Sequence, residues 1–223
     1  MIEIVLDTET TGISIKDGHR IVEIGCIELN DLIPTKNKFH CYINPEKNVS
    51  ESAFKIHGYS NEFLSDKPKF KDIAKEFLDF IKNKRLVIHN AEFDLSHINN
   101  ELSILGLEKI DSSVVIDTLD LARNKFPGSS ASLDALCKRY RIDNSKREKH
   151  NALMDCELLS KVYVNLLDQK EPSLNFFSEQ VERKNISKEF EINYSKKIVS
   201  VSKKELDEHK NFLKTKLTKN FFN

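Results

Sequence analysis

The N-terminal stretch Ile2–Gly12 reads IEIVLDTETTG, and this stretch decides the fold class that the sequence predicts. Its opening run up to Leu6 is rich in β-branched apolar residues, which favours a buried strand. The run stops at Asp7, and Glu9 follows two positions later on the same side of the strand, because successive side chains alternate between faces. We therefore predict a buried strand that ends in a pair of carboxylates.

Two carboxylates on one side of a strand repel each other unless a multivalent cation lies between them or one of them takes up a proton. A lone Asp-x-Glu pair is more often a solvated strand end. Here threonine hydroxyl groups follow within Thr8–Thr11, and Gly12 allows the backbone to approach a ligand closely. These neighbours favour a binding site over a solvated strand end.

The rest of the first two thirds of the chain indicates strands followed by an alternation of strands and helices. Ile21–Leu29 and Phe39–Ile43 predict two more strands, and the polar turns between them indicate an antiparallel meander. The later predicted strands are Leu86–Ile88 and Val114–Ile116, and the predicted helices cover Ile73–Ile81, Leu95–Leu105, Ser132–Tyr140 and Leu153–Leu167. This order predicts an α/β fold whose mixed central sheet is flanked by helices.

Two further acidic positions follow later elements. Asp94 comes shortly after the strand Leu86–Ile88 at the start of a helix, where the helix dipole alone would explain it. Such strand ends are also where α/β sheets carry active sites. His150 and Asp155 are five positions apart, which on a helix separates two side chains by roughly 140°. They therefore suit unlike roles, with His150 in the loop before the helix as a base and Asp155 in the early turns as a metal ligand.

Four carboxylates with one histidine form an oxygen-rich site that suits Mg²⁺ or Mn²⁺ better than zinc. Two such cations about 3.5–4 Å apart can hold both the attacking and the leaving oxygen of a phosphodiester, while a neutral histidine takes a proton from water. The hypothesis requires four carboxylates to lie close together, namely those of Asp7, Glu9, Asp94 and Asp155. It also requires that no lysine or arginine head group fills the space between them.

The composition argues against several classes of protein. The chain has 223 residues with 35 basic and 35 acidic side chains, so its formal net charge is zero. This balance argues against a protein that grips nucleic acid through a broad basic surface, but it leaves room for a small metal-filled pocket. The four cysteines form no Cys-x-x-Cys pair, and no apolar run reaches membrane-spanning length. We therefore expect a soluble cytoplasmic protein with reduced thiols and no membrane partner.

The character of the sequence changes after Gln169. Residues 170–223 contain 12 Lys or Arg and 8 Asp or Glu, in charge runs with isolated apolar residues between them. So little apolar content favours a flexible tail with a short helix over a second packed domain. We predict a catalytic domain over residues 1–169, which is acidic on balance, and a tail over residues 170–223.

Taken together, Asp7–Gly12, Asn90–Asp94 and the pair of His150 with Asp155 resemble the motifs of the DnaQ-like 3′→5′ exonucleases of the DEDDh type. The resemblance covers about residues 1–168 and implies a ribonuclease H-like fold. It implies that the four carboxylates bind two divalent cations, Mg²⁺ or Mn²⁺, and that His150 is the general base. The implied reaction is hydrolysis of the 3′-terminal phosphodiester, which releases nucleoside 5′-monophosphates.

The same resemblance implies residues that bind the DNA 3′ end. Family members carry a His-Gly pair that contacts the terminal nucleotide, and His57 within Ile56–Gly58 matches it. Ser52 stands where many relatives carry a glutamate. The implied substrate-binding residues are Asp7, Glu9, Thr10, His57, Asn90 and Phe93.

The tail resembles the C-terminal region of the epsilon subunits of bacterial DNA polymerase III, which implies a proofreading exonuclease. Ser202–Leu213 is similar to the part that binds the polymerase (alpha) subunit, and its apolar positions recur at helical spacing. Glu171–Phe176 is similar to the sliding-clamp motif of those subunits, with Glu171 in place of the usual glutamine. A small accessory subunit, of the kind that some relatives bind, is a further candidate partner.

Two other functions stay open on the sequence alone. One is a free-standing DEDDh exonuclease that trims RNA or short oligonucleotides. The other is a binding subunit that kept the fold and lost catalysis, and the complete set of carboxylates with His150 argues against it.

Overall fold

The computed structural model describes residues 1–145, 147, 149–168 and 201–215 of the chain. The chain divides into two units, Met1–Asn175 and Phe176–Asn223, and each is described by itself. The first unit is built on a five-stranded sheet in the order β3-β2-β1-β4-β5. The strands are β1 (Ile2–Thr10), β2 (Ile21–Asn30), β3 (Ile33–Tyr42), β4 (Arg85–Ile88) and β5 (Val115–Asp117).

The predicted mixed sheet is confirmed by the pairing of its central strand. β1 pairs antiparallel with β2 on one side and parallel with β4 on the other. β3 extends the antiparallel half, and β5 runs parallel to β4. Because β1 and β4 are parallel neighbours, their carboxyl ends meet at the same edge of the sheet, and the residues that follow both strands lie there.

Helices cover both faces of this sheet. Those of the first unit are α1 (Glu51–His57), α2 (Asn61–Ser65), α3 (Phe70–Ile81), α4 (Ala91–Ile104), α5 (Thr118–Lys125), α6 (Leu133–Tyr140) and α7 (Ala152–Leu166). Ile4 and Leu6 of β1 pack into the core that α3 and α4 cover, whereas Val5 packs into the core under α7. Burial on both faces explains why β1 is apolar from Ile4 to Leu6, directly before Asp7.

One strand and three helices differ from the sequence prediction. β3 begins at Ile33 rather than Phe39, because its first half is a polar segment on the edge of the sheet, where charged side chains are common. Helices α1, α2 and α5 are short and were not predicted. The side chains of Ser50 and Ser60 accept N-cap hydrogen bonds at the starts of α1 and α2, and these caps were the available sequence signal.

In the second unit the structure describes one helix, α8 (Lys203–Thr215), which contains most of the tail segment for which the sequence predicts a helix. Ser202 and Glu205 form a reciprocal capping box at its start, with Glu205 N donating to Ser202 Oγ (3.3 Å) and Ser202 N to Glu205 Oε2 (2.9 Å). The segment Glu171–Phe176 and most of the predicted tail lie outside the described residues. Within the part of the chain that is described, none of the helices has the length and apolar character needed to span a membrane.

Candidate active site

The carboxyl end of β1 carries the first two candidate residues. The side chain of Asp7 is partly exposed and that of Glu9 is buried, and both line one cleft. Asp94 lies in the first turn of α4, which follows the neighbouring strand β4. Its Oδ1 accepts hydrogen bonds from Thr8 N (3.0 Å) and Thr8 Oγ1 (2.7 Å). The structure therefore brings together the acidic residues that follow two parallel strands, as the sequence predicts.

Helix α7 brings the remaining acidic residue to the same place. The helix begins after Asn151, whose side chain caps it by accepting from Met154 N (3.0 Å), and Asp155 lies in its first turn. The start of α7 rests directly on β2 at Gly25. A Cβ atom at Gly25 would lie 2.6 Å from Ala152 C, so a side chain there would push the helix off the sheet.

Glu23 ties the start of α7 to two other segments, and sequence reasoning missed this residue. Its buried carboxylate accepts hydrogen bonds from Ala152 N (3.0 Å) and Asn151 Nδ2 (2.7 Å) of the α7 start. It also accepts from Tyr59 OH (2.8 Å), and His40 Nε2 lies 2.7 Å from it. The available signal was an acidic residue inside the apolar run Ile21–Leu29, because a buried carboxylate needs several partners.

The cleft has a volume of about 340 Å³. Its lining consists of Asp7, Thr8, Glu9, Ile56, His89, Asn90, Phe93, Asp94, Ser132, Leu133, Asp134, Arg147, His150 and Asp155. His150 Nδ1 lies 3.5 Å from Asp155 Oδ2 and 4.0 Å from Glu9 Oε1. One possible ligand atom from each of these three residues lies within 4.8 Å of the other two, and such a donor set could hold a cation.

The carboxylates perturb one another strongly. Burial, and then the charges of Asp94 and Glu9, hold the pKa of Asp7 well above its usual value. Burial, followed by the charges of Asp155 and Glu23, raises the pKa of Glu9 to about 8. Burial also raises the pKa of Asp94 to about 7, although the hydrogen bonds from Thr8 act in the opposite direction. Full ionisation of this cluster is therefore costly unless a positive charge joins it.

Arg147 supplies one such charge, and it contradicts one sequence expectation. Its Nε and Nη2 donate to Asp155 Oδ1 (2.5 Å) and Oδ2 (2.7 Å), and its Nη1 donates to Asp134 Oδ1 (2.9 Å). Nη2 also lies 2.9 Å from His150 Nδ1. The expectation that no arginine head group lies among the carboxylates is therefore wrong at Asp155. Arg147 lies before α7 in the sequence, and its guanidinium is part of the acidic cluster.

The candidate substrate-binding residues fall into two groups. Asn90 and Phe93 line the cleft together with Asp7 and Glu9, and Asn90 adopts a left-handed conformation (φ 69°) before α4. Thr10 and His57 are buried, and neither is among the described residues that line the cleft. Thr10 Oγ1 donates to Gly12 O (2.8 Å), and His57 Nε2 lies 3.2 Å from Thr10 O. In the structure both side chains thus support the backbone after β1. Ser52 is an exposed residue of α1, and its Oγ lies 3.0 Å from Ser50 Oγ.

Gly12 and Ile56 also differ from their sequence interpretation. A Cβ atom at Gly12 would lie 2.4 Å from the ring of His19, so the glycine makes room for packing within the protein rather than for a ligand. Ile56, which entered the sequence comparison only as the neighbour of His57, is half exposed at 48% and lines the cleft.

The comparisons with known proteins assign the family. The Exonuclease family model matches residues 4–163. The DNA polymerase III subunit epsilon of Rickettsia prowazekii is 48% identical over 217 residues, and that of Rickettsia felis is 46% identical over the same length, with 95% of each chain covered in both cases. The subunit of the same name from Salmonella typhimurium is 47% identical over 169 residues, which cover 73% of this chain and 70% of the relative.

Solved structures share the fold. Exonuclease X in complex with 5′ overhanging duplex DNA is 25% identical, with a TM-score of 0.60 over 74% of this chain and 91% of that one. The nuclease domain of 3′hExo, a DEDDh family member bound to rAMP, is 18% identical, with a TM-score of 0.65 over 75% of this chain and 92% of that one. The predicted ribonuclease H-like exonuclease fold is thereby confirmed. The chain belongs to the DnaQ-like family of 3′→5′ exonucleases, in the branch that contains the DNA polymerase III epsilon subunits, and it is an exonuclease of this type.

Proposed function

We propose that this protein is the proofreading 3′→5′ exonuclease of a bacterial DNA polymerase III, which removes nucleoside 5′-monophosphates from a frayed DNA 3′ end. The observation that carries the proposal is the similarity to the rickettsial epsilon subunits over 95% of both chains. That similarity is too long to be confined to the exonuclease match at residues 4–163. A free-standing trimming enzyme needs only the catalytic part.

The carboxylates of the cleft are the proposed ligands of two divalent cations, Mg²⁺ or Mn²⁺. Asp7, Glu9, Asp94 and Asp155 offer hard oxygen donors, which these cations prefer. The raised pKa values of Asp7, Glu9 and Asp94 support the assignment, because a group of carboxylates that ionises at a cost gains from a bound cation. When bound, such ions stabilise the negative charge that develops on the phosphate oxygens.

His150 is the proposed general base. Burial and the nearby charge of Arg147 lower the pKa of His150, so its ring is neutral at pH 7. A guanidinium can only donate hydrogen bonds, and the Nδ1 atom that faces Arg147 therefore carries no proton. The backbone N–H of His150 donates to Ile56 O (3.2 Å), which holds the loop at the rim of the cleft. The nitrogen that points towards Asp155 and Glu9 is thus the one that can take a proton from water.

The size and the lining of the cleft suit the end of a single strand. A volume of about 340 Å³ is at the small end of the range for ligand sites, which suits a single terminal nucleotide. Phe93 and Ile56 offer apolar surface for a base, and Asn90 offers hydrogen-bonding groups. Entry then requires that the last nucleotides unpair, and a mismatch makes unpairing easier.

A comparison of substrates tests the proposal. We expect the protein with Mn²⁺ to degrade a DNA primer with a mispaired 3′ terminus faster than the fully paired primer, and faster than single-stranded RNA of the same sequence. Rates would be measured by gel from end-labelled strands. Faster degradation of RNA would favour the free-standing trimming enzyme, and no turnover on any strand would favour a binding subunit.

The tail is the proposed attachment to the polymerase alpha subunit. Residues 1–169 carry more acidic than basic side chains, and non-specific nucleic-acid binding is weak even for basic proteins, with Kd of roughly 10⁻⁴–10⁻⁶ M. A tether raises the local concentration to about millimolar and compensates for weak binding. In α8 Leu206 is 45% exposed, and Leu213 lies on the same side of the helix. The same proposal includes a contact between Glu171–Phe176 and the sliding clamp. It also includes a small accessory subunit as a partner and a location in the cytoplasm.

Removal of residues 170–223 is expected to spare exonuclease activity on single-stranded DNA and to abolish co-purification with the polymerase alpha subunit. The double substitution Leu206→Ala with Leu213→Ala in the full chain should weaken that association, because both side chains lie on one face of α8. Lys204→Ala with Glu208→Ala is the matched control on the same helix and should leave the association intact. A truncated protein that still co-purifies would place the attachment within the first 169 residues.

A further inference from the structure

The guanidinium of Arg147 occupies a central place in the cleft. Only 6% of the Arg147 side chain is exposed, and its guanidinium donates hydrogen bonds to both carboxylate oxygens of Asp155. Of the described residues that line the cleft, Arg147 is the one with a permanent positive charge. A bidentate arginine–carboxylate pair is among the strongest hydrogen-bonded contacts in proteins.

The same guanidinium also covers the proposed base. Its Nη2 lies 2.9 Å from His150 Nδ1, the nitrogen whose lone pair would take the proton of the attacking water. One side chain therefore engages a proposed metal ligand and the proposed base at once. While this contact lasts, the Nδ1 lone pair of His150 is directed at Arg147, and a cation bound to Asp155 would lie against the positive charge of the guanidinium.

Arg147 makes a third contact, with Asp134, that does not depend on Asp155. Nη1 donates to Asp134 Oδ1 (2.9 Å), and the side chain of Asp134 is 57% exposed at the start of α6. Asn144 Nδ2 also donates to that oxygen (2.9 Å), and Arg147 N donates to Asn144 O (3.0 Å), so the loop is anchored to Asp134 and not only to Asp155. Rotation about this anchor would free Asp155 while Arg147 stays at the rim of the cleft.

We propose that Arg147 is a built-in competitor of the divalent cation, which holds Asp155 and His150 in a blocked arrangement and yields Asp155 when the cation binds. The inference rests on the proposed metal site at Asp155 and deepens it.

The decisive measurement is the Mn²⁺ affinity of Arg147→Gln compared with that of the wild-type chain, by isothermal titration calorimetry on the full-length protein. Loss of a competitor should tighten binding by roughly 10-fold, within the range that residues around metal ligands produce. Lys149→Gln is the matched control, because it removes a positive charge from the same loop at a side chain that lies over Phe54 (5.7 Å) and not on Asp155. Its effect should be much smaller.

Weaker Mn²⁺ binding in Arg147→Gln would overturn the inference, because it would mean that Arg147 supports Asp155 as a ligand. An equal gain in Mn²⁺ affinity in Lys149→Gln would also overturn the inference, because the loss of any positive charge from this loop would then explain the effect. Arg147→Lys keeps the charge without the fork and should bind Mn²⁺ with intermediate affinity, and it serves as the test variant if Arg147→Gln does not fold. A wild-type chain that binds no Mn²⁺ would instead refute the proposed metal site.

Discussion

The substitution Asp7→Asn is expected to remove exonuclease activity and at the same time to make the protein more resistant to heat in the absence of divalent cations. Asp7 lies at the centre of the acidic cluster, and burial and neighbouring carboxylates raise its pKa. Loss of a metal ligand forfeits several kcal/mol of transition-state stabilisation, and about 4 kcal/mol corresponds to a rate loss of roughly 10³-fold. Removal of one carboxylate relieves the repulsion that destabilises the folded state.

The stabilisation should depend on pH in a defined direction. A carboxyl group with a raised pKa binds its proton more tightly in the folded state, so the stability of the wild-type chain falls as pH rises from its ordinary pKa near 4 towards the folded-state value. Glu9, with a pKa of about 8, extends this window to neutral and mildly alkaline conditions. Asp7→Asn should therefore gain little at pH 5 and more at pH 8, where each kcal/mol corresponds to about 2–4 °C in Tm.

Melting curves with EDTA at both pH values, and single-turnover rates with Mn²⁺, would measure the two effects. Asp120→Asn is a suitable control, because its side chain is 69% exposed and pairs with Arg123 at 3.8 Å, away from the cleft. It should change neither quantity. Normal turnover in Asp7→Asn would remove Asp7 from the proposed mechanism, and a lower Tm at pH 8 would show that repulsion in the cluster is not a dominant cost.

The substitution His150→Ala should slow hydrolysis by roughly 10²–10⁴-fold, which is the usual contribution of a general base, while Mn²⁺ affinity changes little. This prediction distinguishes a general base from a metal ligand. The geometry allows both roles, because His150 Nδ1 lies within 4.8 Å of oxygen atoms of both Glu9 and Asp155. The two roles differ in what the substitution removes. A base contributes to the chemical step alone, whereas a ligand contributes to cation binding.

Single-turnover rates and Mn²⁺ titrations on His150→Ala and His150→Gln would separate those roles. Glutamine keeps a polar side chain of similar reach but offers no basic nitrogen, so it should be as slow as alanine and bind Mn²⁺ as the wild-type chain does. Added imidazole should recover part of the rate in His150→Ala. A parallel loss of Mn²⁺ affinity in both variants would reassign His150 as a ligand.

Much of the fold is predictable because its signals are local. The short β-branched apolar run before Asp7 favours a strand buried on both faces, and the spacing of apolar residues within Ile73–Ile81 matches α3. The exposed first half of β3 has no such signal, because an edge strand needs polar side chains rather than an apolar pattern. Short helices such as α5 depend on packing against the rest of the chain more than on their own sequence.

The candidate site also has parts that can be predicted from the sequence and parts that cannot. The acidic residues after β1 and β4 could be predicted to meet, because parallel strands end at one edge of the sheet. Glu23 and Arg147 could not be assigned from the sequence, because their partners are fixed by tertiary structure. Glu23 of β2 contacts Asn151 at the start of α7, and Arg147 contacts Asp155 although it lies eight residues earlier in the sequence. The expectation that no arginine lies among the carboxylates is wrong, because clustered carboxylates attract a cationic side chain as well as a metal ion.

The order of the elements along the chain has a consequence during synthesis on the ribosome. Asp7, Glu9 and Asp94 emerge early, but Asp155 belongs to the last helix of the first unit, which is seated on Gly25 and Glu23. Under the proposed assignment, a nascent polypeptide that has exposed only its strands and α4 holds an incomplete set of metal ligands. We therefore expect nuclease activity to appear only once translation has passed α7.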